Sequence, residues 1–211
     1  MINKQGIVNF NETAEFLVNE FDLENYRESD GSIWIRVFHH NNPSGGLFAS
    51  TDDFTKPIYK DVNRRFNCQL FNQIADNKWE LMVKQKKTSS DTETKYRWIQ
   101  TKNPYNAVYA DVSASNITRI TTSGYTNIST AGGLYKHNAS TYFVINNGTS
   151  GNWFGAIGSW TVYQNGIPAY PTTGVITSGY MDLYLRLDTS NIVNEAIIGK
   201  NYIRAKQLIE E

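Results

Sequence analysis

Few residues of this chain have the types and spacing that do chemistry. Its three histidines are His39, His40 and His137. The first two follow the strand-like run Ile33-Trp34-Ile35-Arg36-Val37-Phe38, and His137 sits in a polar loop. Adjacent histidines on a strand point to opposite faces, so this pair does not readily chelate one metal. A metal site would need all three to converge from distant segments, and the expected reading is surface or loop-edge histidines. Asp52-Asp53 and Asp182/Asp188 are acidic pairs. Glycoside hydrolysis needs two carboxylates converging on a cleft, and nothing in the spacing singles out such a pair. No HExxH, GxSxG, Walker or GxGxxG motif occurs in the sequence. The single cysteine, Cys68, excludes an intrachain disulfide, and within Phe66-Asn67-Cys68-Gln69-Leu70-Phe71 it reads as a small core residue rather than a nucleophile. The expectation is a protein with no catalytic residue, no metal and no cofactor.

Aromatic residues carry more information. Trp153, Trp160, Tyr163, Tyr170 and Tyr180 crowd into a Gly- and Pro-rich stretch. Aromatics on loops stack on sugar rings or form protein interfaces, whereas in a β-sandwich they often fill the core. Trp153 reads as core before platform. Trp160 and Tyr163 fit either role, and the three together are the candidate glycan platform. Five Asn-x-Ser/Thr triplets, at Asn11, Asn116, Asn127, Asn138 and Asn147, are what an Asn-, Ser- and Thr-rich chain produces by chance. No secretion signal is read at Met1-Ile2-Asn3-Lys4-Gln5-Gly6, and no apolar run approaches the ~20 residues that span a bilayer.

The elements that must position these residues are strands. Of the 211 residues, 19% are charged and 40% hydrophobic, and roughly one in nine is Asn. With 20 basic and 20 acidic residues the net charge is zero, which points to neither nucleic acid nor an anionic membrane as a partner. Ile33–Phe38 suits a buried strand, and after the loop Asn41-Asn42-Pro43-Ser44-Gly45-Gly46 the run Leu47-Phe48-Ala49 resumes strand character. Trp79, Leu81 and Val83 alternate on one face, and Tyr96-Arg97-Trp98-Ile99-Gln100 alternates before Asn103-Pro104 ends it. Residues 84–95, charged and Ser/Thr-rich, read as a long hairpin loop. Thr141–Ile145 leads into the turn Asn146-Asn147-Gly148, followed by Trp153–Gly158 and Trp160–Tyr163. The cleanest alternation is Met181–Asp188, with Met181, Leu183, Leu185 and Leu187 facing one way. Many short strands with frequent turns predict a mainly-β fold, an antiparallel β-sandwich of jelly-roll type, over residues 32–188.

The ends differ in texture. Residues 1–31 form a docking arm, with Glu12–Leu23 either a short helix or extended. Residues 189–211 form a second segment for docking or oligomerisation, as a helix over Lys200–Glu211 or as two strands broken at Gly199. Phe10, Phe16, Leu17, Ile197, Ile203, Leu208 and Ile209 are their candidate interface residues. Such groups left in water forfeit roughly 1.5–3 kcal/mol each relative to burial.

The central zone resembles a β-rich domain of appendage proteins of tailed bacteriophages. The likeness rests on Trp34-Ile35-Arg36-Val37-Phe38-His39-His40-Asn41, Leu47-Phe48 and Trp98-Ile99-Gln100-Thr101-Lys102-Asn103-Pro104. It continues with Asn152-Trp153-Phe154-Gly155-Ala156-Ile157-Gly158, Gly166-Ile167-Pro168 and Met181–Asp188. The termini are similar to those of fibre proteins of crAss-like phages of gut Bacteroides. What the resemblance implies is a head or tail fibre or capsid decoration subunit, commonly trimeric. It would be made in the host bacterial cytoplasm and resident in the virion. Its partners would be sister chains, other virion proteins and a host-surface glycan. No catalytic residue carries over. The alternative is a stand-alone carbohydrate-binding module. An enzyme such as a depolymerase is disfavoured by the missing acid/base pair.

Overall fold

Strands form where β-branched and aromatic residues gather, and turns where Asn, Gly and Ser interrupt them. The computed structural model describes residues 25–27, 32–42, 47–48, 56, 58–73, 78–86, 88–126, 132–136, 143–146, 153–157, 169–170, 176–177 and 179–187. Among the described residues there is no α-helix. The strands are β1 (Asn25–Arg27), β2 (Ile33–Asn41), β3 (Ile58–Asp61), β4 (Arg64–Phe66), β5 (Trp79–Lys86), β6 (Thr94–Gln100) and β7 (Ile117–Ile120). They continue as β8 (Leu134–Lys136), β9 (Phe143–Asn146), β10 (Trp153–Ile157), β11 (Ala169–Tyr170), β12 (Ile176–Thr177) and β13 (Tyr180–Leu187). Two 3-10 segments, η1 (Cys68–Gln73) and η2 (Tyr109–Val112), interrupt them.

The chain divides into two compact units, residues 1–35 with 187–211, and residues 36–186. In the first, β1 pairs antiparallel with the start of β2, Tyr26 opposite Trp34, and the buried Trp34 indole donates to Ser32 Oγ at 2.9 Å.

The second unit is a β-sandwich. Its large antiparallel sheet runs β3-β4-β2-β13-β5-β6-β7, and a small sheet runs β10-β9-β8. The short pair β11-β12 stands as a third sheet. Register explains which residues meet. Leu81 lies opposite Trp98 and Val83 opposite Tyr96, while β13 sets Leu183 beside Val83 and Leu185 beside Leu81. These side chains share one face and are buried in one core with Leu134, Phe143 and Ile145 of the small sheet. Phe143 joins the layers, its ring 5.4 Å from Phe66, 6.1 Å from Phe71 and 6.2 Å from Tyr105.

The sandwich and the runs at Trp79–Val83, Tyr96–Gln100 and Met181–Leu185 agree with the sequence reading. Four expectations need correction. Strand β2 continues through Asn41 and takes both histidines into the ladder, with His39 opposite Arg65 and His40 opposite Arg64. Both are buried rather than at the surface or a loop edge, because Phe48 packs over His40 on the core face and Arg36, Tyr180 and Asp182 close over His39 on the other. The loop after β5 is shorter than expected, since Lys84↔Lys95 and Gln85↔Thr94 remain paired. Leu47 and Phe48 are not in a strand. Phe48 is still core, stacked on Phe38 at 5.2 Å. Cys68 opens η1 rather than sitting in a strand, and it is fully buried as a core residue. The terminal segments read as helix or arm, 12–23 and 200–211, lie outside the described residues, as does the side chain of Leu187.

Candidate functional site

On the face of the large sheet opposite the core, polar residues form a bonded cluster. The alternation of β13 places Tyr180, Asp182, Tyr184 and Arg186 on this face. Asp182 is only 1% exposed. Its Oδ1 meets His39 Nδ1 at 2.6 Å and Arg36 Nη1 at 3.5 Å. The Tyr180 hydroxyl donates to Oδ2, as does Tyr184 Oη at 3.2 Å. Strict alternation would put Arg36 and His39 on opposite faces. They reach the same oxygen, so the alternation of β2 slips by one residue between them, as at a bulge. His39 Nδ1 also lies 3.1 Å from Arg36 Nη1. It can donate to Asp182 or accept from Arg36, and the shorter distance favours Asp182.

Burial raises the pKa of both tyrosine hydroxyls well above the usual range, and the nearby Asp182 charge adds to it. Both therefore stay protonated and keep donating. Lys84, opposite Asp182 in the register, carries its ammonium 5.0 Å from the Tyr184 ring. Further along the same face, Glu80 Oε1 accepts from Arg97 Nε at 2.6 Å and Oε2 from Arg186 Nη1 at 2.6 Å. Arg97 also reaches Tyr125 Oη at 3.3 Å. These bonds tie β2, β13, β5 and β6 together. The carboxylate oxygens of Asp182 and Glu80 face protein donors, which is a cross-linking arrangement rather than an acid and a base aimed at a substrate.

A second assembly joins the two sheets. The Gln100 side-chain amide behaves as an extra peptide unit beside β8. Leu134 N donates to Gln100 Oε1 at 2.9 Å, and Gln100 Nε2 donates to Leu134 O at 3.0 Å. Trp98 Nε1 donates to the same Oε1 at 2.9 Å, and Nε2 also reaches Lys102 O at 2.7 Å. Beside it, Tyr96 Oη donates to Gly132 O at 3.0 Å, and burial pushes this hydroxyl's pKa up strongly. Gly133 fits close against Gln100 and Val112.

Of the residues singled out by sequence, Trp153 opens β10 opposite Asn146. Trp160, Tyr163, Phe10, Phe16, Leu17, Ile197, Ile203, Leu208 and Ile209 lie outside the described residues, with His137, Asp52, Asp53 and Asp188. Among the described residues no group of three His, Cys, Asp or Glu is placed to hold a metal ion. Among the described residues no helix is long and apolar enough to cross a membrane. Asp182 carried a faint sequence signal as half of an acidic pair. Its real partners, Arg36 and His39, were hidden by the slip in β2. Gln100 and Gly133 gave no signal, because their pairing is across sheets. Comparison of the chain with protein-family models, curated proteins and solved structures returns no match.

Proposed function

We propose that this chain is a non-enzymatic structural protein of a bacteriophage surface, a head or tail fibre or capsid decoration subunit. The observation that carries the reading is the cross-linked sheet. Two buried or half-buried carboxylates, Asp182 and Glu80, have their oxygens occupied by arginine, histidine and tyrosine donors across four strands. Such a face resists deformation and offers no free acid/base pair. That suits a particle component that must persist in the open. The likeness of residues 34–188 to phage appendage domains supplies the setting. In this reading the chain works as a homo-oligomer, a trimer with cyclic symmetry, docked through its termini and meeting host glycans.

The test is cryo-electron microscopy of virions that carry the gene for this chain, with the sandwich docked into density. Matching density at fibre or shell positions is the expected result. Virions lacking both that density and any peptide of the chain by mass spectrometry would reject the reading. Glycan binding by isolated protein, with no virion density, would favour the carbohydrate-binding alternative.

A further inference from the structure

The inner face of the large sheet is apolar along most of its length and, apart from Gln100, turns polar in the cross-strand row that begins at Arg64. Three pairings define that row. Arg64 lies opposite His40, Met181 opposite Gln85, and Gln85 opposite Thr94. The link between His40 and Met181 follows from Asn42 N donating to Gly179 O at 3.0 Å, and from the contact of His39 with Asp182. The row therefore reads Arg64, His40, Met181, Gln85, Thr94 across β4, β2, β13, β5 and β6. Its inward orientation is independently fixed. Met181 belongs to the core, and Phe48 packs on both Phe38 and His40, at 5.2 and 6.1 Å between ring centres.

Two members of this row are unusual. His40 and Gln85 are each 0% exposed, neither amide atom of Gln85 has a hydrogen-bond partner within the protein, and the His40 ring has only its approach to the Asn42 backbone. Buried polar groups without partners are rare and costly, and in native proteins internal water commonly supplies the missing bonds. Their backbones are two strand spacings apart, roughly 9–10 Å. Both side chains rise on the same side of the sheet and flank Met181.

We propose that His40 and Gln85 frame an internal hydration site, in which water bridges the imidazole and the amide across Met181. The donor and acceptor counts fit a guest that both gives and takes hydrogen bonds. A neutral imidazole offers one donor and one acceptor, and the amide offers two donors and one acceptor oxygen. The guest is neutral, because burial holds His40 in its uncharged form, as its lowered pKa of about 4 agrees. Water thus completes the polar row from the core side, where apolar strands on either side cannot.

The experiment is a high-resolution crystal structure of the full chain, paired with thermal melts of Gln85→Leu, His40→Phe and the double variant. The expected result is ordered water bonded both to a His40 ring nitrogen and to the Gln85 amide, directly or through one further water, and lost in Gln85→Leu. Each single variant strands the water's other partner and lowers Tm by about 3–8 °C. The double variant loses less than the sum of the singles, because the two residues share one guest. A dry site, separate waters that never join the two residues, or single variants that raise Tm additively would each overturn the proposal. The crystal structure decides even where a variant fails to fold.

Discussion

Asp182 shows how much one buried side chain can organise. Its two oxygens collect Arg36, His39, Tyr180 and Tyr184 from two strands. Removing one partner from a buried charged network leaves the others desolvated and unpaired, which is strongly destabilising. Asp182→Leu should therefore cost about 3–5 kcal/mol by urea denaturation. A loss below ~1 kcal/mol would show that the cluster is incidental. His40 gives a pH prediction. Burial, opposed by the Asn42 backbone and helped by the His39 charge, lowers its pKa from 6.5 to about 4. The unfolded chain then binds more protons than the folded one between these values, so stability falls as pH drops from about 6.5 to about 4. The contribution lost over that window is about 3 kcal/mol. Denaturation at several pH values should show it, and His40→Phe should flatten that part of the profile. Little of this was legible in the sequence beyond the acidic pair that included Asp182. Asp182 and His39 read as outward polar residues because a strand's period of two sorts faces without saying whether the second face is covered. Met82, Lys84 and Tyr184 are buried on that second face as well.

At the level of elements, the sequence was a better guide. Strands β5, β6 and β13 were legible because their apolar residues recur every second position, and pairing makes that period the register. Pairing between layers was not legible, because it depends on contacts between residues distant in sequence, such as Gln100 with Leu134, 34 positions away, and Gly133 with Val112 and Ile117. A Cβ at Gly133 would lie 2.7 Å from Gln100 Oε1, 3.1 Å from Val112 Cβ and 3.2 Å from Ile117 Cγ2. That oxygen is held by two donors and cannot easily retreat. Gly133→Ala should cost about 1–3 kcal/mol through overpacking. Gln100→Leu should cost more, because each buried group it strands, among them the Trp98 and Leu134 N–H groups, costs about 1–3 kcal/mol. Hydrogen exchange is the sharper readout. Protection should fall in β8 and β9 before it falls in β5 and β6. Equal loss in all four strands would mean that the Gln100 bridge does not join two separable layers.

For the whole molecule, circular dichroism should be dominated by β structure. The oligomeric state is the larger question. Light scattering of the full chain is expected to report a trimer, and a fragment of residues 32–188 a monomer. The expectation rests on the apolar residues Phe10, Phe16, Leu17, Ile197, Ile203, Leu208 and Ile209 in the terminal segments. A monomeric full chain would reject self-association. Trimers from both would place the interface on the sandwich and away from the ends.

The position of β13 between β2 and β5 has a consequence for how the chain reaches its native state. The hairpin β5-β6 and its neighbour β7 form from residues close in sequence, so they can assemble early. The centre of the large sheet cannot. Its seam joins Arg36 to Asp182, 146 positions apart. Until residues 180–187 leave the ribosome, β2 and β5 each present an open edge of unpaired N–H and C=O groups. Such edges recruit other chains. Synthesis is therefore a period of exposure that ends with the last described strand. A chain cut short before Tyr180 should aggregate, whereas the full chain refolds slowly, on a scale of milliseconds to seconds, as the late strand inserts. Faster refolding, or a soluble truncated chain, would show that the seam closes by another route.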